Sequence, residues 1–263
     1  MPEQIKLSFI GSGNLAWHLA PALENAGYVV TEVYSRNPRH AEDLTERLYQ
    51  AVVKRSLDFS SSASRVFFIA ASDDAIEDIA TEIVLPDEAV LVHTSGSQPL
   101  EILQFAAIEN TGVFYPLQTF SKGKRVDFKN VPIFLESGSE VAGKTMTMLA
   151  KAISNDVRQT TSQERRALHV AAVFASNFAN HMLALSKDIL EKNDLSFDLL
   201  KPLITETFNK SLANGPERSQ TGPAVRGDLE VLDRHLEFLK EEEALANIYK
   251  IISQDILDRY QPE

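Results

Sequence analysis

The stretch KLSFIGSGNLAWHLA, residues 6–20, decides the fold of this chain. Its apolar beginning predicts a β-strand that ends at the turn Gly11-Ser12-Gly13. From Leu15 onward the apolar residues recur with helical spacing, which predicts that a helix follows the turn at once. A strand, a glycine turn and a helix in this order are the context that a Gly-x-Gly-x-x-Ala dinucleotide-binding motif requires. A glycine turn of this kind can also be no more than a turn.

The glycines and the helix start indicate how a pyrophosphate group would be held. Gly11 suits the tight turn, Gly13 leaves the backbone open to the ligand, and Ala16 allows the helix to pack closely on the strand. Free N–H groups and the dipole at the helix start favour an anion. The cofactor contacts expected in this segment are Gly11, Ser12, Gly13, Asn14 and Leu15.

The composition is that of an ordinary globular protein. The 263 residues are 44% hydrophobic and 24% charged, and this length predicts two domains, which we place at 1–160 and 161–263. Because the chain has no cysteine, disulfides, thiolate metal sites and cysteine nucleophiles are excluded, and no metal site is predicted. The first strand leaves no room for a signal peptide and no apolar run approaches about 20 residues, so we expect a cytoplasmic protein without a membrane partner. The net charge of −11 is spread over both halves of the chain, which argues against a nucleic-acid partner.

The end of the second predicted strand, Tyr28–Tyr34, indicates which dinucleotide is bound. In sites that prefer NAD, an acidic residue about 20 positions beyond the glycines binds the ribose 2′-hydroxyl. This chain has Ser35, Arg36 and Asn37 at that place, and a hydroxyl with a guanidinium suits a 2′-phosphate. We therefore predict NADP(H) as the cofactor. The alternative is a solvated arginine in a loop.

Further strands alternate with helices and predict an α/β fold with a doubly wound, mostly parallel sheet of the Rossmann type. The apolar run Arg65–Ala71 predicts a central strand covered on both faces. The turn after it is expected to border the cofactor through Ala71, Ser72, Asp73, Asp74 and Ile76, although capping the next helix is the favoured role of the two acids.

Two later strands carry additional expectations. A fifth strand ends at His93–Ser97, where Ser95 is expected to contact the cofactor or a substrate. His93 is either a structural histidine, which we favour, or a proton donor. Pro132 predicts an edge position for the strand at 131–136, since proline cannot donate to a neighbouring strand.

The second half of the chain predicts an all-α domain. Thr161-Ser162-x-Glu164 is typical of a helix N-terminal cap, and neither proline nor glycine interrupts residues 162–193. At about 100° per residue, His169, Asn177 and Asn180 share one side of this helix, where they either line a pocket or bond to neighbouring helices.

The loop at 214–228 is long enough to be functional. We predict that it reaches toward the cofactor. Arg226 either holds an anionic substrate group or forms an ion pair within the fold, and Asp228 is a candidate cap for the last two helices.

Several segments resemble a known superfamily, that of pyrroline-5-carboxylate reductase and 6-phosphogluconate dehydrogenase; these are residues 11–15, 34–37 and 72–76. More specific segments are similar to NADP oxidoreductases that join a Rossmann-like domain to a helical C-terminal domain of unknown function. They are His93–Gly96, Tyr115–Phe120, His169 with Ala175–Phe178, and Thr221–Pro223 with Arg226–Asp228. The resemblance covers essentially the whole chain and implies NADP(H) binding, an all-α second domain and a homodimer built through that domain.

The long helix departs from the pattern of related enzymes at one position. β-Hydroxyacid dehydrogenases of this superfamily carry an acid/base lysine one turn before an asparagine. If Asn177 matches that asparagine, Val173 occupies the lysine position and cannot transfer a proton. His169 is the nearest titratable residue on the helix, and histidine changes its charge near neutral pH.

We therefore predict an NADP-dependent oxidoreductase that transfers a hydride between nicotinamide and a small carbonyl or imine held between the two domains. His169 is the expected acid/base and Asn177 the orienting residue, and the expected substrate contacts are Ser95, Gln118, Asn177 and Arg226. The alternative is a non-catalytic NADP-binding sensor or partner-binding protein. A deazaflavin partner for the nicotinamide is a remoter possibility that no sequence feature favours.

Overall fold

The structure is a computed structural model that describes residues 4–260, and within them eight strands form one sheet in the order β3-β2-β1-β4-β5-β6-β7-β8. The strands are β1 (Lys6–Ile10), β2 (Val29–Tyr34), β3 (Val52–Lys54), β4 (Val66–Ile69), β5 (Val90–His93), β6 (Asn110–Pro116), β7 (Ile133–Ser137) and β8 (Val157–Gln159). Neighbouring strands are parallel except for β6 and β7, which pair antiparallel. The predicted doubly wound, mostly parallel sheet is confirmed.

The central strand β4 explains why the sheet is covered on both faces. It lies between β1 and β5, and all four of its residues are buried. Successive side chains point to opposite faces of a strand. On one face Phe68 stacks on Phe9 with ring centroids 5.1 Å apart, and on the other Phe67 meets Phe59 edge-on at 5.4 Å. The apolar run that predicted a central strand therefore supplies two cores.

The predicted edge position of the strand after Pro132 is wrong, because β7 pairs with β6 on one side and with β8 on the other. Pro132 lies just before β7, so its missing N–H interrupts no pairing within the strand. Its carbonyl accepts a hydrogen bond from the Leu117 N–H at 2.9 Å.

The helices that cover the sheet are α1 (Asn14–Asn25), α2 (Pro38–Thr45), α3 (Ile76–Glu82) and α4 (Glu140–Ile153). Short 3₁₀ turns occur at Asp73–Ala75, Leu100–Ala106 and Phe128–Asn130. The helices α1 and α4 bury apolar side chains such as Leu19, Leu23 and Leu149 in the larger core cluster.

The long helix consists of α5 (Ser162–Ala172), a π-helical segment (Val173–Phe178) and α6 (Ala179–Glu191). Its predicted start is confirmed. The Thr161 hydroxyl accepts a hydrogen bond from the Glu164 N–H at 3.2 Å, and the Glu164 carboxylate accepts one from the Thr161 N–H at 2.9 Å.

The prediction of one regular α-helix is wrong in the middle. A π turn closes i→i+5 hydrogen bonds and so holds an extra residue, which delays the following side chains by roughly 100° relative to an α-helix. The angles predicted for Asn177 and Asn180 relative to His169 therefore do not apply. Both asparagine side chains are exposed.

The chain forms two compact units, one ending at Asn177 and the other beginning at Phe178. The boundary thus lies inside the long helix, whereas the sequence analysis placed it at 160. The second unit contains α6, α7 (Lys201–Asn214), α8 (Pro216–Ser219), α9 (Leu229–Phe238) and α10 (Glu243–Tyr260).

Within the second unit, Asp228 caps α9 as expected, since its carboxylate accepts a hydrogen bond from the Val231 N–H at 3.3 Å. Part of the preceding loop borders an apolar cavity of about 300 Å³ together with α6, α9 and α10; its residues there are Thr221, Pro223 and Ala224. Arg226 is exposed.

By length and hydropathy, the helix Ser162–Glu191 qualifies as a candidate membrane span, which the sequence analysis did not expect. None of its most apolar 18-residue window is buried. A single helix of this kind is weak evidence for a membrane span. The sheet that precedes it along the chain is of the mostly parallel α/β type.

Candidate cofactor-binding site

A cavity of about 580 Å³ lies at the carboxyl ends of β1, β2, β4 and β5. Ligands of open parallel sheets bind at this edge, and the volume is within the range of small-molecule sites. The lining residues are Ile10, Gly11, Ser12, Gly13, Asn14, Leu15, Tyr34, Ser35, Arg36, His40, Ala70, Ala71, Ser72, Asp73, Ile79, Thr94, Ser95 and Lys122.

The turn between β1 and α1 can accept only glycine at its first position. Gly11 has φ 112°, and a Cβ there would lie 2.3 Å from the Ala70 carbonyl oxygen. At Gly13 the nearest atom to a Cβ is the same oxygen at 3.9 Å, so the space beside this residue is open. The two glycines therefore have the distinct roles expected of them.

The start of α1 is free to bind an anion. Gly13 is the N-cap, no side chain caps the helix, and its first turn contains no acid. The N–H groups of that turn are thus left for a ligand, and the dipole favours negative charge. These features fit the pyrophosphate of a dinucleotide.

Arg36 and Ser35 follow β2 on the cavity wall, as predicted for a 2′-phosphate site. Arg36 is exposed, so its guanidinium is available to a ligand. Asn37 is not part of the wall. Its side chain instead caps α2, accepting a hydrogen bond from the Arg39 N–H at 3.1 Å.

The turn after β4 contributes Ala71, Ser72 and Asp73 to the cavity. The favoured capping role of the acids is wrong, because neither the 3₁₀ turn nor α3 has a side-chain cap. The Asp73 carboxylate instead accepts a hydrogen bond from the Ser97 hydroxyl, which ties this turn to the loop after β5. Asp74 is exposed outside the cavity wall, and Ile76 is buried in the apolar core.

The loop after β5 brings Thr94 and Ser95 to the cavity. Ser95 is buried, and its hydroxyl accepts hydrogen bonds from the N–H groups of Ser97 and Gln98 at 3.1 and 3.0 Å. His93 lies at the strand end, fully buried, and accepts a hydrogen bond from the Ser95 N–H at 3.1 Å. Burial first, and the nearby Arg165 cation second, lower the pKa of His93 to about 3. His93 is therefore a neutral, structural histidine, as favoured from the sequence.

Arg165 holds this loop from the side of α5. Its guanidinium is fully buried and donates to the carbonyl oxygens of Ser95 at 3.0 Å and Gln98 at 2.6 Å. It also forms an ion pair with Glu136 of β7 at 2.8 Å. The sequence analysis missed Arg165, since an arginine in the first turns of a helix is usually solvated.

His169 lies one turn further along α5, on the same side of the helix as Arg165. Its Nδ1 is 3.0 Å from the Tyr115 hydroxyl, and its Nε2 is reached by solvent without a hydrogen-bond partner among residues 4–260. His169 is not on the cavity wall, but it adjoins the loop that forms part of that wall. A Cβ added to Gly96 would lie 2.5 Å from its Nδ1.

The remaining predicted site residues lie outside the cavity wall. Gln118 is exposed and its side chain accepts a hydrogen bond from the Thr119 N–H at 2.8 Å. Asn177 and Arg226 are exposed. The structure therefore brings most of the predicted cofactor residues together, with the exception of Asn37, Asp74 and Ile76, and the roles of Gln118, Asn177 and Arg226 stay predictions.

Lys122 and His40 are cavity residues that the sequence analysis missed. His40 follows Asn37 by about one helical turn, and this spacing from the end of β2 is the sequence signal that identifies it. Lys122 comes from the loop after β6 and lies over the Trp17 ring at 4.4 Å. No sequence pattern signals this position.

The bare helix start, the glycine turn and the arginine after β2 define a Rossmann-fold protein that binds a phosphorylated nicotinamide dinucleotide. The comparisons assign the family. The chain belongs to the NADP oxidoreductase family represented by the "putative NADP oxidoreductase BF3122 from Bacteroides fragilis", with which it shares 36% identity over 97% of this chain and 99% of that one, at a TM-score of 0.89.

Family profiles agree with this assignment. Residues 6–96 match "NADP oxidoreductase coenzyme F420-dependent", and residues 131–256 match "Domain of unknown function (DUF2520)". The cofactor is therefore NADP(H), as predicted. No curated protein matches the chain.

More distant structures share the fold. A reductive aminase from Aspergillus terreus, solved with NADPH and ethyl levulinate, is 13% identical with a TM-score of 0.68, covering 98% of this chain and 95% of that one. An imine reductase from Pseudomonas sp. is 16% identical with a TM-score of 0.65, covering 96% of this chain and 93% of that one.

Proposed function

We propose that this protein transfers a hydride between NADP(H) and a small carbonyl or imine, with His169 as the acid/base. The observation that supports it is the position of His169. One ring nitrogen is held by Tyr115, the other is open to solvent, and the ring adjoins the loop that carries Ser95 on the cavity wall. An oriented histidine beside a dinucleotide site is a suitable general acid.

Different residues hold the cofactor and transfer the proton. The N–H groups at the start of α1 hold the pyrophosphate, and Arg36 with Ser35 holds the 2′-phosphate. When bound, NADPH supplies a hydride. His169 gives a proton to the substrate oxygen or nitrogen as that atom gains electron density. Ser95 is held by the hydrogen bonds of its loop and offers a polar contact at the cavity.

The experiment is a steady-state assay of NADPH oxidation with cyclohexanone, alone and with methylamine, which separates a carbonyl from an imine acceptor. Coenzyme F420 is added as a third acceptor because the family description names it. We expect turnover with at least one acceptor. We also expect His169→Ala to lower kcat about a hundredfold while leaving the NADPH affinity unchanged. Full activity of that variant would remove His169 from the mechanism.

The second candidate is a non-catalytic NADP-binding sensor. Val173 favours it if Asn177 matches the asparagine of the related hydroxyacid dehydrogenases, since Val173 then occupies the position of their lysine. Tight NADPH binding without oxidation by any acceptor would support the sensor and contradict the enzyme.

We also propose that the protein is a cytoplasmic homodimer joined through its second unit. The support is the shortage of buried residues there. Among the described residues from Phe178 onward, the buried apolar ones are Ala224, Leu232 and Leu239. The helices α6, α7 and α10 have no fully buried residue, so their apolar faces remain available to a second copy.

A further inference from the structure

Tyr115 and His169 form a close pair beside the cofactor cavity. Tyr115 is 9% exposed and lies near the end of β6, and its hydroxyl is 3.0 Å from His169 Nδ1. The two rings meet edge-on with centroids 6.0 Å apart. His169 Nε2 is the nitrogen that solvent reaches. The two ring nitrogens thus have different surroundings, one inside the fold and one open.

Gly96 is the residue that brings the pair against the cavity loop. A Cβ at this position would lie 2.5 Å from His169 Nδ1 and 2.7 Å from Tyr115 Cζ. Because real contacts are never so short, any larger residue would push the two rings apart or displace the loop. The absence of a side chain lets the backbone next to Ser95 pack directly on both rings.

Arg165 fixes the helix that carries His169. Arg165 lies one helical turn before His169 on α5. Its guanidinium donates to the backbone carbonyls of Ser95 and Gln98 in the same loop. The imidazole is therefore held from two sides, through its own hydrogen bond to Tyr115 and through the clamp that Arg165 makes on the loop. An arrangement with this many contacts orients a ring rather than merely filling space.

We propose that Tyr115 is a positioning residue that acts through His169, fixing the imidazole so that Nε2 is the nitrogen that exchanges a proton with the substrate. This inference rests on the proposed function. In reduction, the Nε2–H bond of the imidazolium breaks and its proton joins the substrate oxygen or nitrogen, while the hydride adds to the adjacent carbon. Nδ1 keeps its proton and donates it to Tyr115 Oη, and solvent then returns a proton to Nε2.

Tyr115 itself keeps its proton throughout this step. Burial raises the pKa of its phenol, with the Arg165 cation opposing that effect and the Asp73 carboxylate adding to it. The oxygen of a neutral phenol accepts from Nδ1–H, and Nδ1 carries a proton both in the imidazolium and in the neutral ring that remains. Tyr115 can therefore hold the ring both before and after the proton leaves.

The test compares Tyr115→Phe with Tyr249→Phe. Tyr249 makes the same kind of pair in the second unit, its hydroxyl 2.7 Å from His235 Nδ1 with ring centroids 5.6 Å apart. We expect Tyr115→Phe to lower kcat tenfold or more with little change in KM or in the NADPH affinity. Tyr249→Phe removes an equivalent hydrogen bond between residues that do not line the cofactor cavity, and its kcat is expected to match the wild type.

The second readout is the ring-nitrogen NMR spectrum of protein labelled with ¹⁵N-histidine, in the presence of NADP. The chain has six histidines, and loss of a signal in His169→Gln identifies the relevant one. In the wild type we expect the two ring nitrogens of His169 to show the chemical shifts of a single tautomer. In Tyr115→Phe we expect chemical shifts averaged over both tautomers. Gly96→Ala, which separates the two rings, is expected to do the same.

Unchanged kcat in Tyr115→Phe, or reduced kcat with unchanged His169 nitrogen shifts, would overturn the inference. If none of the tested acceptors supports NADPH oxidation by the wild-type protein, the proposed function fails and the proposed proton step fails with it. The nitrogen shifts would then still decide whether Tyr115 fixes the ring, so the two failures are distinguishable.

Discussion

Arg36 is the residue on which we propose that the preference for NADP mainly depends. Its guanidinium lines the cavity after β2 and is exposed, so it can make charge-assisted hydrogen bonds to a 2′-phosphate. We expect Arg36→Ala to weaken NADP binding about tenfold or more, equivalent to about 1.4 kcal/mol, with little effect on NAD. Calorimetric titration with NADP and with NAD measures the two dissociation constants and their ratio in the variant and in the wild type.

Arg39→Ala is the matched control for Arg36. Arg39 is exposed in the first turn of α2 but is not on the cavity wall, so its loss is expected to leave the preference for NADP intact. An Arg36→Ala protein that still prefers NADP as strongly as the wild type would assign the 2′-phosphate to other groups, with Lys122 and His40 the next candidates.

Arg165 illustrates the cost of breaking a buried ion pair. Its side chain is fully buried and its partner Glu136 is 15% exposed. Arg165→Met leaves the Ser95 and Gln98 carbonyls without this donor and removes the cation beside the Glu136 carboxylate, which keeps its hydrogen bonds from Ser162. We expect a loss of about 3–5 kcal/mol in the free energy of unfolding. Urea denaturation followed by tryptophan fluorescence measures it, because Trp17 lies in the first unit.

The control for this measurement is Arg158→Met. Arg158 pairs with Asp156 at 2.7 Å, but the Arg158 side chain is 62% and the Asp156 side chain 37% exposed, so water screens the pair. We expect the urea midpoint to stay close to that of the wild type. Equal effects of the two substitutions would mean that burial does not decide the strength of these pairs.

At the residue scale, the sequence predicts sites that depend on backbone shape better than sites that depend on distant partners. Gly11 and Gly13 are recognisable because a strand–turn–helix context fixes their roles. Gly96 and Arg165 are not, since each acquires its role from residues that lie far away along the chain, such as Tyr115 and Glu136. Only the fold brings those groups together.

The start of α5 is the element whose stability depends most directly on pH. Hydrogen bonds from the Thr161 backbone and hydroxyl lower the pKa of Glu164 below its usual 4.5. A carboxyl whose pKa is lower in the folded state stabilises the fold above the unfolded-state value. That contribution is lost as the pH falls through the folded-state value.

Thr161→Ala removes the cap and is expected to destabilise the protein at pH 7 by about 1 kcal/mol. The difference in stability between variant and wild type is expected to narrow below pH 4, because only the ionised Glu164 carboxylate is stabilised by the hydrogen bond from the Thr161 hydroxyl, which the variant lacks. Thr81→Ala, an exposed helical threonine in α3, serves as the control and is expected to have little effect at either pH. A gap that does not vary with pH would contradict the role assigned to Glu164.

At the element scale, the strands and most helix starts can be predicted from periodicity and capping residues. Two features could not: the interior position of β7 in the sheet and the π-helical segment of the long helix. Pro132 suggested an edge strand, but the strand begins one residue later. The π segment at Val173–Phe178 interrupts a helix in which no proline or glycine marks the change. The residues of this segment do not distinguish a π-helical turn from an α-helix, so the sequence contains no local signal for it.

At the scale of the whole molecule, the two units differ in how well they could stand alone. The sheet of the first unit encloses two apolar clusters, while the described part of the second unit has few buried residues. Leu203 and Leu212 of α7 are 63% and 85% exposed. This apolar surface is the one that we propose a second copy of the chain covers.

We therefore expect light scattering after size exclusion to give twice the chain mass of 29.2 kDa. A double substitution, Leu203→Glu with Leu212→Glu, places charge at two exposed apolar positions of α7 and is expected to produce monomer with a lower thermal midpoint. Tyr49→Glu, at an equally exposed position of the first unit, tests whether any added surface charge has this effect. Because the described part of the second unit has few buried apolar residues, we expect monomer formation and loss of helical signal to appear together. A stable, fully helical monomer in the wild type would show that these helices need no partner.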